Sequence, residues 1–164
     1  MDIVATALAF ERKGASVYED LSRRSEQPLA KELFGMLAED ERKHERYFQR
    51  LAEGWGLPTE TVQASSGLEA RVKEAFDRLG TSAHRAVRKT EGLQAALELE
   101  RDSYNFYREN APKALDEKSS AFYELLMEQE LEHFEALDNI LHYLSATGDW
   151  LMEDESQRWN WMST

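Results

Sequence analysis

A Glu-x-x-His motif occurs at Glu41 to His44 and again at Glu130 to His133, 89 residues further on. A Glu-Arg pair repeats at the same offset, as Glu11-Arg12 and Glu100-Arg101. So do Ala7-Leu8 with Ala96-Leu97, Tyr18 with Tyr107, Leu37 with Leu126 and Glu39 with Glu128. A chain built twice over in this way is expected to fold as two similar halves related by a pseudo-twofold axis. One Glu-x-x-His arises easily in a Glu-rich helical sequence. Two of them, in register with two further glutamates, are far more specific.

The repeat acquires meaning only if its residues share helix faces. Three prolines, Pro28, Pro58 and Pro112, interrupt the chain, and the stretches between are rich in the good helix formers Ala, Leu, Glu, Lys and Arg. The spacing predicts an all-α protein. A first helix over about residues 2–25 has its apolar stripe at Val4, Ala7, Leu8, Ala15, Tyr18 and Leu21, with Glu11 in its middle. A second, about 29–53, buries Leu33, Phe34, Leu37, Phe48 and Leu51 and ends at the Gly54 to Pro58 breaker. Glu41 and His44 lie in its register, whereas Glu39 and Asp40 do not. A helix over about 90–110, with Thr90 as its N-cap, turns Leu93, Ala96, Leu97, Glu100, Tyr104 and Tyr107 inward. The last, about 116–146, presents Phe122, Leu126, Leu137, Ile140, Leu141 and Leu144, interrupted by Glu130 and His133, with Gly148 as C-terminal cap.

The connections at Pro28 and Pro112 are short, so each joins antiparallel neighbours. Between the two pairs runs a long crossover, in which residues 68–79 carry helical spacing of their own at Leu68, Val72, Ala75, Phe76 and Leu79. The expected architecture is a four-helix bundle of two helical hairpins joined by a crossover containing a short extra helix. All 164 residues are expected to form one domain, with residues 147–164 as a C-terminal tail.

Composition narrows the chemistry. The chain has no cysteine, which excludes disulfides, thiolate zinc and Cys-ligated iron within it. Its net charge of -12 opposes a phosphate backbone, so neither nucleic acid nor an anionic membrane is an expected partner. No stretch approaches the ~20 apolar residues of a membrane span, and Met1 to Ala9 lacks a basic leader, so a cytoplasmic location is expected.

Residues three apart on a helix project from nearly the same side, so Glu41 with His44 and Glu130 with His133 can each chelate one ion. Glu11 and Glu100 then close the site from the other two helices. Oxygen and imidazole together suit iron, manganese or zinc better than magnesium or calcium. We expect Glu41 and Glu130 to bridge two ions, with Glu11 and His44 on one and Glu100 and His133 on the other. Without metal, four ionised carboxylates inside an apolar bundle would each cost several kcal/mol. Tyr18 and Tyr107, two turns beyond their glutamates, are placed to donate to ligating carboxylates of other helices. Tyr104 fills core volume or gates access on one side. His84 and His142 fall off the ligand stripe and read as surface or packing residues. Trp150, Trp159 and Trp161 make the tail a segment that docks on the bundle or on a second subunit, and a homodimer is expected.

The set Glu11, Glu41-x-x-His44, Glu100 and Glu130-x-x-His133 resembles the diiron ligands of the ferritin-like superfamily. Within it the chain is most similar to rubrerythrin-like proteins, through residues 7–12 and 96–101, each reaching a tyrosine seven residues past its glutamate, and through residues 143–150. The resemblance implies a diiron oxidoreductase that reduces hydrogen peroxide or dioxygen in the response to oxidative stress. It also implies two iron ions, with manganese or zinc possible in their place. Two other functions stay open: a ferroxidase that handles Fe(II) for storage or transfer, and a non-redox zinc or manganese bundle. The chain departs from the rubrerythrin pattern twice. It lacks the Cys-rich rubredoxin iron site, so a separate electron-donor protein is implied, and Ser103 stands where rubrerythrins carry a further glutamate. Arg42 occupies the place of the haem-ligating methionine of bacterioferritins, so no haem is implied.

Overall fold

Pro28 opens a helix as well as separating two. Its missing N–H costs nothing at the first helical position, and Gln27 before it caps the helix by accepting a 2.6 Å hydrogen bond from the Ala30 N–H. The computed structural model describes residues 3–57, 65–84 and 91–145. Five helices are present among them: α1 (Ile3–Arg24), α2 (Pro28–Ala52), α3 (Leu68–Leu79), α4 (Glu91–Asn110) and α5 (Glu117–Ser145). Short 3-10 turns follow α3 and α4, at Gly80–His84 and Ala111–Lys113. No described residue lies in a strand, and no described helix is long and apolar enough to cross a membrane. The expected helix ends that lie among the described residues agree to within about a residue, and those of α3 coincide. Thr90, Gly148 and the three tail tryptophans lie outside the described residues.

α1 packs against α2 and α4 against α5 as the two main pairs. Two contacts set an antiparallel hairpin: midway along α1, Arg12 Nε reaches Glu45 in the later half of α2 at 2.9 Å, and near the end of α1, Ser22 Oγ donates to the Lys31 carbonyl in the first turns of α2 at 3.0 Å. Asp116 caps α5 by accepting a 2.8 Å hydrogen bond from the Ser119 N–H. The extra helix α3 packs on α2 and α5.

The bundle core is divided in two. One apolar cluster contains Tyr18, Leu29, Leu33, Leu37, Leu93, Ala96, Leu137 and Ile140. The other contains Ala7, Phe48, Tyr107, Phe122, Tyr123 and Leu126. Each of the four long helices passes from one cluster to the other, and the acidic residues Glu11, Glu41, Glu100 and Glu130 fall on the intervening turns. Hydrophobic packing on both sides thus forces a layer of carboxylates into the middle of the molecule, where water cannot compensate their charge.

Candidate metal centre

All six residues expected to bind metal are buried, Glu41 being the most exposed at 3%. Glu11, Glu41, His44 and Glu130 offer ligand atoms lying within 4.8 Å of one another, and so do Glu41, Glu100, Glu130 and His133. Glu41 and Glu130 belong to both groups. His44 Nδ1 lies 3.1 Å from Glu11 Oε2 and 3.2 Å from Glu130 Oε1. On the other side, His133 Nδ1 lies 3.2 Å from Glu41 Oε1 and 3.4 Å from Glu100 Oε2. Gly14 makes room for this arrangement, since a Cβ there would sit 3.0 Å from Glu41 Oε2.

The electrostatics of the layer call for cations. Burial, then the neighbouring Glu130 carboxylate, raises Glu100 to about 7. Burial and the Glu41 charge push Glu11 up well above the ordinary carboxylate range, and burial and the Glu130 charge raise Glu41. Burial alone would lower both imidazoles, but the carboxylates around them, Glu11 first for His44 and Glu100 first for His133, hold both well above the ordinary histidine value. Hydrogen bonding leaves the layer unsatisfied: Glu41 Oε1, Glu100 Oε2, both Glu130 oxygens and both His133 ring nitrogens have no hydrogen-bond partner among the described residues. Lone pairs that point at one another inside a dry core fit metal ligands. Four carboxylates and two imidazoles suit iron, with manganese or zinc as alternatives.

The tyrosines donate across the pseudo-twofold axis. Tyr18 of α1 hydrogen-bonds Glu100 of α4, and Tyr107 of α4 hydrogen-bonds Glu11 of α1. Each phenol thereby leaves the other carboxylate oxygen free to face the centre. Tyr104 is half-buried, with the Arg108 guanidinium over its ring 5.8 Å from the centroid. His142 bonds within its own helix, to the Asp138 carbonyl at 2.8 Å, and the His84 side chain is outside the described residues.

Asp40 corrects the expectation that it lies off the buried face: it is 1% exposed. It faces α3 rather than α1, and Arg71 Nη1 reaches its two oxygens at 2.8 and 3.0 Å while Lys43 Nζ lies 2.9 Å away. Burial would raise its carboxyl, but His133 first, then Lys43 and Arg71, outweigh it and hold the group well below the usual carboxylate range. Gln129, which periodicity had not singled out, is also buried and places Oε1 2.7 Å from His44 Nε2. The 89-residue offset joins Asp40 to Gln129 and was the available signal for both.

The two groups sharing a pair of glutamates match a ferritin-like dinuclear, carboxylate-bridged metal site of the kind typical of rubrerythrin-type diiron oxidoreductases. Neither a curated protein nor a solved structure matches the chain. Residues 2–141, a span that takes in all six clustered side chains and all but the last four residues of α5, match the family model for rubrerythrin, and the chain belongs to the rubrerythrin family.

Proposed function

We propose that the chain is a non-haem diiron oxidoreductase that reduces hydrogen peroxide or dioxygen. In this reading Glu11 and His44 would hold one iron and Glu100 and His133 the other, with Glu41 and Glu130 shared between the two. The observation that carries it is the sharing of Glu41 and Glu130 between two four-residue groups whose ligand atoms lie within 4.8 Å of one another. A pair of ferrous ions held there would supply the two electrons that, with two protons, reduce hydrogen peroxide to two waters. The chain's own residues provide the rest. Tyr18 and Tyr107 orient Glu100 and Glu11, and the apolar clusters above and below keep water from the carboxylate layer. The 164 residues contain no cysteine for a rubredoxin-type relay, so the electrons come from outside them. We assign that role to a separate electron-donor protein serving a cytoplasmic homodimer.

One observation favours a second reading. Ser103, buried at 7%, occupies the place of the further glutamate of rubrerythrins, which leaves a six-ligand set suited to a ferroxidase that takes Fe(II) as substrate. Anaerobic Fe(II) titration followed by rapid mixing separates the two. A peroxidase takes up two ions per chain, develops ferric absorption faster with peroxide than with dioxygen, and returns to its starting state on reduction. Faster reaction with dioxygen, with ferric iron accumulating beyond two per chain, would assign the ferroxidase role. Uptake of fewer than two ions would sink both.

A further inference from the structure

The repeat that pairs the metal ligands also pairs two residues behind them. Asp40 and Gln129 each precede the glutamate of a Glu-x-x-His motif, and each is buried. Each approaches the histidine of the opposite hairpin on the ring nitrogen turned away from the carboxylate cluster. Gln129 Oε1 lies 2.7 Å from His44 Nε2, and Asp40 Oδ2 lies 3.6 Å from His133 Nε2. The two imidazoles stack with centroids 5.8 Å apart. Behind one ring stands a neutral amide. Behind the other stands a carboxylate.

We propose that Asp40 and Gln129 are positioning residues that make the two metal positions unequal, with the His133 position binding a divalent ion more tightly than the His44 position. The proposal rests on the ligand assignment given above. Both histidines turn Nδ1 to the cluster, so Nε2 carries the ring proton outward, and the group that meets this proton sets the basicity of Nδ1. At 3.6 Å the Asp40 contact lies outside direct hydrogen-bond range and acts through its charge. A full negative charge so close to a buried ring favours a dication on its far side more than an amide dipole does. Arg71 and Lys43 offset that charge only in part. Their side chains are 26% and 39% exposed and so screened by water, whereas those of Asp40 and His133 are 1% and 0% exposed.

Stepwise Co(II) titration of the metal-free chain, followed by calorimetry and by ligand-field absorption, tests this. The unaltered chain is expected to fill in two resolved steps. Asp40→Asn should weaken the tighter step by about 10–100-fold and leave the looser one in place. Gln129→Glu should strengthen the looser step and narrow the gap. The second variant leaves the Asp40–Arg71 pair intact, so it decides the matter even if Asp40→Asn fails to fold. Two ions bound with one affinity, a weakening of the looser step by Asp40→Asn, or a looser step unmoved or weakened by Gln129→Glu would each overturn the proposal. Uptake of one cobalt or none by the unaltered chain would overturn the dinuclear reading beneath it, a distinct result.

Discussion

Position 14 is one place where the two halves of the repeat part in backbone chemistry, since Gly14 corresponds to Ser103. A glycine inside a helix costs about 0.5–1 kcal/mol relative to alanine, and α1 bears that cost beside its own Glu11. What it obtains is space: a Cβ at 14 would meet Glu41 Oε2 at 3.0 Å and Glu41 Cδ at 3.3 Å. Gly14→Ala should therefore leave the metal-free chain within about 1 kcal/mol of its original stability, as the gain in helix propensity offsets the new contact. Metal binding should suffer far more. Glu41 belongs to both ligand groups, so its displacement should lower Co(II) affinity at both positions by tenfold or more, read by the same titration. An alanine variant that binds two ions as tightly as before would show that Glu41 is free to shift. The six clustered residues were legible in the sequence because burial and helical period coincide at those positions. Asp40 was not, because its burial is produced by Arg71 of α3, a partner 31 residues away that periodicity cannot reveal.

The extra helix shows the same division one level up. Its span from Leu68 to Leu79 follows from its apolar spacing and from the glycines on either side, Gly67 and Gly80, both at positive φ. How its first turn is satisfied does not follow. Gly67 at the N-cap has no side chain to offer, and Glu132 of α5 takes that role from a distance. Its carboxylate accepts from Ser65 Oγ at 3.1 Å, from Ser66 N and Oγ at 2.8 and 3.2 Å, and from Leu68 N at 3.0 Å. An anion at a helix N-terminus also meets the positive end of the helix dipole. Glu132→Ala should cost about 1–3 kcal/mol. Amide hydrogen exchange should accelerate in α3 and the residues before it, more than in α1 or α4. Metal stoichiometry should stay at two ions per chain, because Glu132 is outside both ligand groups. Uniform acceleration through all five helices would mean that α3 is not a separately held element.

For the whole molecule, the paired hairpins and the acidic layer between two apolar clusters make stability depend on protons and metal in opposite senses. Glu100 is raised from 4.5 to about 7, Glu11 and Glu41 are raised as well, and both site histidines are raised above 6.5. A group whose folded pKa exceeds its unfolded one contributes stability that is fully present below the unfolded value and is lost as pH rises through the folded value. Glu100 alone then contributes about 3 kcal/mol at pH 4, lost between about pH 4.5 and 7. The histidines extend the loss above pH 6.5. Asp40, whose carboxyl is depressed, acts in the other sense, but its contribution disappears only as pH falls below its unfolded value of 3.8, outside this window. Metal-free protein should consequently melt roughly 5–10 °C lower at pH 8 than at pH 5.5. Metal reverses the trend. The ligands must release their protons to bind, so affinity rises with pH, and ions that bind only the folded chain raise its melting temperature. Calorimetry at both pH values, with chelator or with two equivalents of Zn(II), should show the gap between metal-bound and metal-free melting widening from pH 5.5 to 8. A metal-free melting temperature that is flat or rising across that interval would mean that the carboxylate layer is compensated by partners other than protons and metal.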